Sequence, residues 1–483
     1  MAKSNSLDPE DWSALRAQGH RMLDDMLDYL VTIRSRPVWQ PIPSQARQEF
    51  RRSLPAQSTD LSQLHDIFMN QVLPYSVGNV HPGFMGWVHG GGTAVGMLAE
   101  MLAAGLNANL GGRDQIPIEV ERQVVQWMRE LFEFPETANG LFVTGTSMAN
   151  LISVLVARTR ILGTDIRRRG MTTEKHLTAY AAEGVHGSIA QALDIAGLGS
   201  DALRIIAVDQ QNQMDVSVLR EAIVRDRAAG LTPFFIAGTA GSVNTGAIDD
   251  LSALADIAAS EGVWMHVDGA YGALGILAAD IAPRLKGIER ADSIAFDFHK
   301  WGQVPYDAGF VLVRDGDLQR EAFAAPTAYL SRAERGLAAG SPWPCDLGPD
   351  LSRGFRALKT WFTLMAYGTE QLGEMISGTC ALARYLAQRI TATAQLELMA
   401  PVTLNIVCFR YRSDDADCLN AELAVALQES GIAVPSTTSI NGHLAIRVAI
   451  VNHRTNATDL DALLEATLDI GSRLSCKPSR EAP

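Results

Sequence analysis

The chain has 483 residues, enough for about three domain-sized units of roughly 150 residues each. Its 47% hydrophobic and 20% charged residues are typical of a globular protein and exclude a chain that is mainly disordered or fibrous. The formal net charge of −13 repels phosphate backbones and anionic lipids, so we predict no nucleic-acid partner and no membrane association.

The cysteines and the hydropathy pattern give no support for a disulfide-rich, metal-binding, secreted or membrane-spanning protein. Five cysteines are spread along the chain without a C-x-x-C pair, which favours neither a disulfide framework nor a metal site. The N-terminal sequence has no apolar signal-peptide core, and no stretch reaches the ~18 continuous apolar residues of a membrane-spanning helix. We therefore expect a cytoplasmic protein.

The first 80 residues have the pattern of a helical arm. Asp8-Pro9-Glu10 starts a helical segment that extends to about Ile33, and prolines interrupt the pattern from Pro37 onward. Further along, the methionine-rich segment 96–102 has the composition of a helix packed in the core.

From about Gly140 onward, short apolar runs alternate with helical segments. This alternation predicts an α/β fold with a largely parallel sheet covered by helices on both faces. The expected strands are 141–143, 176–182, 203–208, 233–238, 263–268, 293–298 and 309–314, and the expected helices are 147–161, 187–197, 215–229 and about 250–261.

Beyond about residue 353 the pattern changes again. A long helical segment extends to about Arg389, and two further strands are expected at 403–411 and 443–451. We interpret this part as a smaller α/β domain. The predicted organisation is a helical arm over 1–80, a large domain over 81–365 and a small C-terminal domain over 366–483.

The segment Ser293–Gly302 places Lys300 directly after an apolar strand. A lone lysine at a strand end more commonly extends its charged head to the surface. A lysine that is desolvated there can instead supply a neutral amine, which attacks a carbonyl group and forms a Schiff base.

A second segment favours the Schiff-base interpretation of Lys300. In His266–Gly272 the carboxylate of Asp268 ends an apolar strand, and the small residues that follow let a flat ligand approach the backbone. Pyridoxal phosphate (PLP) needs both groups, because a lysine binds its aldehyde and a carboxylate keeps its ring nitrogen protonated. Asp268 alone would fit a strand-end cap equally well, whereas the pair of residues favours a PLP site.

Two loops complete the candidate site. The segment Thr144–Asn150 joins a strand to a helix, and its N–H groups and hydroxyls, including those of Thr146 and Ser147, suit a phosphate group. The same residue types are also ordinary helix caps. His186 lies between the next strand and helix, a position compatible with a simple polar histidine or with stacking on a cofactor ring.

These segments together resemble the group II family of PLP-dependent decarboxylases, which contains aromatic amino acid, histidine, glutamate and cysteine sulfinate decarboxylases. The resemblance covers about residues 65–475, and its most specific part is HKW at 299–301 with VDGAYG at 267–272, because Lys300 follows Asp268 by 32 positions. The supporting motifs are HPGF at 81–84, TGTSMAN at 144–150, VHGSI at 185–189, AGSVNTGAIDD at 240–250 and SRGFRALKTW at 352–361.

The resemblance implies an architecture and a set of residue roles. The implied architecture is the PLP-dependent transferase fold type I, similar to aspartate aminotransferase, as a homodimer with active sites at the subunit interface and the N-terminal arm packed on the partner. The implied cofactor ligands are Lys300 at the aldehyde, Asp268 at the ring nitrogen, His186 and Ala270 on the two ring faces, and Thr146, Ser147 and His299 on the phosphate side.

Two departures from the family pattern concern the charge and size of the site. Asp297 stands where family members often carry an asparagine that helps to hold the phosphate, so we expect its carboxylate to turn away or to pair with a cation. Asn107, Asn109 and Gly111 replace bulky residues of the aromatic-substrate members. His89 and the glycines after it lie in the expected substrate region. These residues favour a small or polar amino acid as substrate over an aromatic one. His89 and Asn109 are the candidate substrate-binding residues.

A third departure affects the product. Family members carry a tyrosine on a mobile loop that protonates the substrate carbon after CO2 leaves, whereas the stretch 333–350 of this chain contains no tyrosine. His186, Lys300 or water would then supply the proton, or oxygen would intercept the reaction and give an aldehyde.

The sequence therefore predicts PLP-dependent decarboxylation of an L-amino acid to an amine and CO2, with Lys300, Asp268 and His186 as catalytic residues. Decarboxylation with oxidative deamination to an aldehyde is the first alternative, ahead of aminotransferase or other lyase chemistry on the same fold. The alternative from another class is a PLP-free, non-catalytic scaffold, which the presence of both Lys300 and Asp268 disfavours.

Overall fold

The structure is a computed structural model that describes residues 6–171, 175–324 and 332–475, and Cys476 lies outside these ranges. The α-helices described are α1 (Trp12–Val31), α2 (Ser44–Glu49), α3 (Leu61–Ile67), α4 (Ala94–Leu106), α5 (Ile116–Leu131), α6 (Thr146–Leu162), α7 (Ile166–Arg169), α8 (Ser188–Ile195), α9 (Val216–Ala228), α10 (Leu251–Glu261), α11 (Gly316–Phe323), α12 (Arg356–Thr391), α13 (Ala416–Glu429) and α14 (Ala457–Ser475). The strands are β1 (Asn139–Val143), β2 (Leu177–Ala182), β3 (Leu203–Ile206), β4 (Thr232–Thr239), β5 (Trp264–Asp268), β6 (Ser293–Asp297), β7 (Gly309–Val313), β8 (Leu396–Leu398), β9 (Ile406–Tyr411), β10 (Ser436–Ile440) and β11 (His443–Ala449).

The first helix begins later than Asp8-Pro9-Glu10 predicts because Asp11 is its N-cap. The Asp11 carboxylate accepts hydrogen bonds from the N–H groups of Ser13 at 2.8 Å and Ala14 at 3.1 Å. These are among the first N–H groups of a helix, which have no partner within the helix itself. The other end, at Val31, lies close to the expected one.

The large sheet has the strand order β1-β7-β6-β5-β4-β2-β3. The neighbouring pairs from β6 to β3 are parallel, and β7 is antiparallel to both of its neighbours, so β1 and β6 have the same direction. Helices α6 and α8 contribute buried side chains to one face, whereas α5, α9 and α10 contribute to the other. The predicted α/β class with a largely parallel, doubly covered sheet is confirmed.

The central strand β5 shows how the two faces are divided. Met265 and Val267 belong to the cluster on the side of α9 and α10, whereas Trp264 belongs to the cluster on the side of α6 and α8. Because successive strand residues point to opposite faces, His266 and Asp268 share the face of Trp264. The strand therefore presents two polar side chains toward α6.

The small sheet has the strand order β10-β11-β9-β8, and all of its pairs are antiparallel. The expected strands 403–411 and 443–451 correspond to β9 and β11. The other two strands were not predicted, because β8 has three residues and β10 is a mainly polar run in which Thr437 and Ser439 are exposed. The domain boundary predicted at 365/366 falls inside α12, near a kink at Gly368 where φ is +71°, and it stays a prediction.

Helix α4 is not the core helix that its methionine-rich composition predicts. Ala99 and Ala103 are buried, but Met101 is 53% and Leu102 49% exposed. The helix packs on α12 and buries Gly96, Ala99 and Ala103, whereas Leu98, Met101, Leu102 and Leu106 are exposed. Within the same ranges, no helix is long and apolar enough to cross a membrane.

Candidate active site

The predicted site residues come together at one edge of the large sheet. Asp268 is the last residue of β5, Lys300 follows β6, Thr146 follows β1 and His186 follows β2. These four strands have the same direction, so their carboxyl ends lie at the same edge, where open α/β sheets bind their ligands.

Asp268 is a buried carboxylate held by N–H donors. Its Oδ2 accepts a hydrogen bond from Asn150 Nδ2 at 3.0 Å, and its Oδ1 accepts one from the Ala270 N–H at 3.2 Å. Burial raises the pKa of the Asp268 carboxyl, while the Asn150 hydrogen bond and the nearby charge of Lys300 act in the opposite direction. Such a carboxylate suits a buried cationic partner, such as a protonated ring nitrogen.

Lys300 does not extend into solvent. Its side chain is 23% exposed, and its Nζ lies 2.9 Å from Asp297 Oδ2. The other oxygen of Asp297 accepts the Thr146 N–H at 2.7 Å. Asp297 thus pairs with a cation, which is one of the two arrangements expected for it, and it joins the lysine to the first residue of α6.

The phosphate side of the predicted site contains an unpartnered donor. Thr146 is buried, and its Oγ1 has no hydrogen-bond partner within residues 6–171, 175–324 and 332–475. Ser147 is the next residue of α6 and is exposed. An unpartnered hydroxyl at the N-terminus of a helix suits an anion, so these residues fit the phosphate of PLP.

His299 lies beside the same carboxylate, with its Nε2 3.6 Å from Asp297 Oδ2. Its Nδ1 accepts the Ala308 N–H at 3.0 Å. Burial lowers the pKa of His299 to about 4, so the ring is neutral near pH 7 and carries its hydrogen on Nε2. His299 therefore offers a donor toward the phosphate side.

His186 is exposed on its loop, and its Nδ1 lies 2.8 Å from Ser188 Oγ. Ala270 is half-buried and follows Asp268 by two residues. The loop after β2 and the loop after β5 thus place these two residues at the same edge of the sheet. Their contact with opposite ring faces stays a prediction.

The two candidate substrate residues have different surroundings. His89 stacks against Phe84 and Trp87, with ring centroids 5.6 and 5.9 Å away, and its edge contact with Tyr306 measures 6.0 Å. Burial, followed by the charge of Lys300, lowers the pKa of His89. Asn109 uses its Oδ1 to accept two backbone N–H groups, and no hydrogen bond within the described ranges joins it to Lys300 or Asp268.

The glycines after His89 are required by close backbone packing, which the sequence interpretation missed. A Cβ atom at Gly90 would stand 2.3 Å from the His299 carbonyl oxygen and 2.5 Å from that of Lys300. Gly91 donates its N–H to Gln303 Oε1 at 3.2 Å. This segment lies against the backbone that carries the lysine, so its glycines are not evidence for a small or polar substrate.

Three polar residues around Asp268 were not singled out from the sequence. Asn150 donates to Asp268, Ser188 contacts His186, and His266 contacts Asn150. The signal was present: Asn150 lies one helical turn after Thr146, and His266 shares a strand face with Asp268. Among the described residues, no group of three or more His, Cys, Asp or Glu side chains suits a metal ion.

The fold and the arrangement of the candidate site suit an α/β enzyme that binds PLP. A lysine and a buried carboxylate lie at neighbouring strand ends, and the start of α6 carries a hydroxyl with no hydrogen-bond partner among the described residues. Residues 43–412 match the pyridoxal-dependent decarboxylase conserved domain. The chain belongs to this family, the group II PLP-dependent decarboxylases, so it is a carboxy-lyase that uses PLP.

Similar proteins cover nearly the whole chain. An aromatic-L-amino-acid decarboxylase from Bacillus atrophaeus is 32% identical over 472 residues, 95% of each chain. A phenylacetaldehyde synthase from Arabidopsis thaliana is 30% identical over 463 residues, 92% of this chain and 93% of that protein. The solved glutamate decarboxylase domain of a diaminobutyrate-pyruvate transaminase and L-2,4-diaminobutyrate decarboxylase from Vibrio parahaemolyticus has a TM-score of 0.86 at 28% identity, covering 96% of this chain and 97% of that one. The fold is accordingly that of fold type I.

Proposed function

We propose that this enzyme converts an L-amino acid into the corresponding amine and CO2. The observation that carries the proposal is the pairing of Lys300 and Asp268 at the ends of neighbouring strands β6 and β5. The hydrogen bond from Asn150 and the burial of Asp268 support a carboxylate that stabilises positive charge on a ring in this position.

Lys300 is the covalent attachment point in this proposal, and Asp297 is its ion-pair partner. A lysine must lose a proton before its amine can attack an aldehyde. Asp297 Oδ2, 2.9 Å from Nζ, lies in position to accept that proton. The same carboxylate accepts the Thr146 N–H, so it also positions the lysine relative to the phosphate site.

The remaining residues bind and orient the cofactor. PLP supplies an electron-accepting ring for the electron pair of the bond that breaks as CO2 leaves. Asp268 compensates the charge of the protonated ring nitrogen, and His186 and Ala270 confine the ring from its two faces. Thr146, Ser147 and His299 bind the phosphate through hydroxyl and ring N–H donors.

The choice between amine and aldehyde depends on proton delivery to the substrate carbon. His186 and Lys300 are the candidate donors within the described site. The stretch 333–350 has no tyrosine, but Tyr329 precedes it closely and lies outside the described residues. The similarity to a phenylacetaldehyde synthase is the observation that favours an aldehyde as the second candidate product.

The site has features of two substrate classes. The aromatic group of Phe84, Trp87, His89 and Tyr306 favours a planar side chain through stacking and edge contacts. The exposed amide of Asn109 in place of a bulky family residue favours a small or polar one. Similarity to an aromatic-L-amino-acid decarboxylase supports the first class.

We further propose that two copies associate through the exposed apolar face of α4, formed by Leu98, Met101, Leu102 and Leu106. Monomeric proteins rarely expose a large contiguous apolar patch. Helix α4 begins at Ala94, directly after the glycine segment that lies against Lys300, so a partner on this face would stand beside the site. The homodimer and the cytoplasmic location both stay predictions.

The test is a screen of all proteinogenic and common non-proteinogenic amino acids, with CO2, amine, aldehyde and peroxide measured together. CO2 with an equal amount of amine supports the proposed function. Aldehyde and peroxide in place of amine would support the second candidate, and absence of cofactor absorbance from the purified protein would favour a non-catalytic scaffold.

A further inference from the structure

A line of buried polar side chains lies behind Asp268. Trp264 Nε1 donates to Ser293 Oγ at 2.8 Å, and Ser293 Oγ lies 2.9 Å from His266 Nδ1. His266 Nε2 lies 2.9 Å from Asn150 Oδ1. All four side chains are at most 3% exposed, so each polar atom depends on its protein neighbours for a partner.

The line divides at Asn150. Its Nδ2 donates to Asp268 Oδ2 and to Ser188 Oγ, each at 3.0 Å. Ser188 Oγ in turn lies 2.8 Å from His186 Nδ1. A single amide group therefore contacts the carboxylate at the expected ring nitrogen and, through one hydroxyl, the histidine at the expected ring face.

The direction of each hydrogen bond on the first part of the line follows from the chemistry of the groups. The Trp264 N–H can only donate, so Ser293 Oγ accepts it. Burial lowers the pKa of His266 to about 3, so its ring is neutral, with one donor and one acceptor nitrogen. The Asn150 carbonyl oxygen can only accept, so His266 carries its hydrogen on Nε2 and accepts the Ser293 hydroxyl at Nδ1.

The branch toward His186 is fixed in the same way. Ser188 Oγ accepts from Asn150, so its own hydrogen goes to His186 Nδ1. That nitrogen also accepts the Ser188 N–H at 3.2 Å. A neutral His186 then carries its hydrogen on Nε2, the nitrogen directed away from Ser188.

We propose that this branched chain of hydrogen bonds, with Asn150 at its centre, keeps Asp268 ionised and holds His186 in the Nε2–H tautomer. Trp264, Ser293 and His266 act through Asn150 and are positioning residues. The inference rests on the proposed function of Asp268 and His186, and it adds that their protonation states are set together.

The opposite orientation of Asn150 would require a different protonation state. With its carbonyl oxygen toward Asp268, the Asn150 group would need a protonated carboxyl as donor and an unprotonated His266 Nε2 as acceptor. The Ser293 hydroxyl would then lose His266 Nδ1 as its acceptor, and a buried unpaired group is unfavourable. A neutral Asp268 would also fail to compensate the charge of a ring nitrogen.

The first experiment measures the histidine tautomers directly in the purified enzyme, by NMR of ¹⁵N-labelled histidine rings. We expect His186 and His266 both as Nε2–H in the wild type. Asn150→Ala should leave His186 as a mixture of tautomers. Ser153→Ala is the matched control, because Ser153 is a buried residue of α6 whose Oγ donates only to the Ala149 carbonyl within the described chain, at 3.0 Å.

The second experiment measures the PLP dissociation constant as a function of pH. Loss of a hydrogen bond to a charged group predicts about tenfold to hundredfold weaker binding for Asn150→Ala. The pH at which binding is half lost should rise, because Asp268 becomes easier to protonate. Lys300 and His186, the other charged or titratable groups that act on Asp268, are unchanged in this variant, and His266 is the titratable neighbour on its own strand face.

Variants of His266 separate positioning from packing. His266→Gln keeps a donor for Asn150 and an acceptor for Ser293, so it should retain a pH midpoint near the wild-type value. His266→Leu fills the space but removes both hydrogen bonds, so it should shift the midpoint in the direction of Asn150→Ala. A purely structural role would give the same midpoint for both substitutions.

The outcomes distinguish this inference from the proposed function. A wild-type enzyme that binds no PLP would overturn the proposed function. A wild-type enzyme that binds PLP, with the Asn150→Ala midpoint equal to that of Ser153→Ala, would overturn the inference alone. An Nδ1–H tautomer for His266 in the wild type would overturn it as well.

Discussion

The two sheets bury very different residues in their central strands. In the large sheet, β5 and β6 bury His266, Asp268 and Ser293, and each has a hydrogen-bond partner. In the small sheet, the central strands β9 and β11 bury mainly aliphatic residues such as Val407 and Val448. Both sheets are well packed, so stability alone does not explain the polar residues of β5 and β6.

The difference between the two sheets is consistent with the proposed location of the active site in the large sheet. A buried polar side chain is unfavourable unless it is fully hydrogen-bonded, so a sheet that contains several of them requires a matching set of partners. In the described part of the small sheet the buried polar residues are Arg447 of β11 and Ser436 of β10. Arg447 donates to Ser436 Oγ and to the carbonyl oxygens of Val243 and Trp87, which lie outside that sheet. Arg447 therefore links the small sheet to neighbouring loops, whereas the buried polar residues of β5 lie beside Asp268.

The largest effect is expected at Lys300. Lys300→Ala removes the amine that we propose as the attachment point of PLP, so turnover should be abolished while the circular dichroism spectrum remains that of a folded protein. Borohydride reduction of the wild type followed by peptide mapping should place the pyridoxyl group on Lys300. A label on another lysine would contradict the assignment.

The next largest effect is expected at Asp268. Asp268→Asn keeps the size of the side chain but removes its charge, so the ring nitrogen loses its charged partner. A charge-assisted hydrogen bond of about 1.5–3 kcal/mol corresponds to a loss of at least roughly tenfold in kcat. Stopped-flow measurement of single turnovers checks this, and an unchanged rate would mean that another carboxylate serves the ring.

The surface of α4 tests how far the site depends on a second copy. Met101→Glu places a charge on the exposed apolar face and should convert a dimer into a monomer in sedimentation velocity, with lower activity. Val224→Glu is the control, since Val224 is an apolar residue that is 65% exposed on a different helix, α9. Equal masses for wild type and Met101→Glu would show that α4 is not the interface.

The periodic parts of the fold were predictable from the sequence. The strands β4, β5 and β6 are mainly apolar and are buried along almost their whole length because both faces of the large sheet are covered. Short apolar segments of this kind between helical segments predict a parallel sheet. Strand β10 was missed because Ser-Thr-Thr-Ser has no apolar period, and its position depends on pairing with β11. The exposed face of α4 was missed because composition does not report what a helix packs against.

The site residues were predictable where few structural roles could explain a residue of that type at its position in the sequence. Lys300 and Asp268 were found because a charged residue at the end of an apolar strand needs a partner. Asn150 and His266 were missed because their partners are brought close by packing of α6 on β5, which the linear sequence does not specify. The glycine at position 90 was misinterpreted for the same reason, since its neighbours lie about two hundred residues later in the chain.

The buried histidine of β5 makes the large sheet sensitive to acid. Burial lowers the pKa of His266 from 6.5 to about 3, so between these values the unfolded chain binds a proton that the folded protein excludes. Stability is therefore fully present above pH 6.5 and is lost as the pH falls toward 3. At pH 5 the loss from this one group is about 2 kcal/mol.

The measurement for this acid sensitivity is urea unfolding at pH 7 and pH 5. His266→Gln has no titrating group, so its free energy of unfolding should fall less between these pH values, by about 2 kcal/mol. His443→Gln is the control in the small sheet, because His443 is exposed. Equal pH dependence for wild type and His266→Gln would contradict the neutral state of the buried ring.

The smallest effect on turnover is expected from the core of the small sheet. Leu423 of α13 is fully buried against β9 and β11, and Leu423→Ala should lower the free energy of unfolding by about 2–5 kcal/mol through the cavity that it leaves. The proposed catalytic groups lie on the other sheet, so kcat per folded molecule should stay within about twofold of wild type at a temperature where both proteins are folded. Lys300→Ala gives the reverse pattern, a stable protein without turnover. A large loss of kcat in Leu423→Ala, measured at equal folded fraction, would show that the small sheet also positions the site. The connection to examine by double-mutant cycles would then be Arg447 and its hydrogen bonds to Val243 and Trp87.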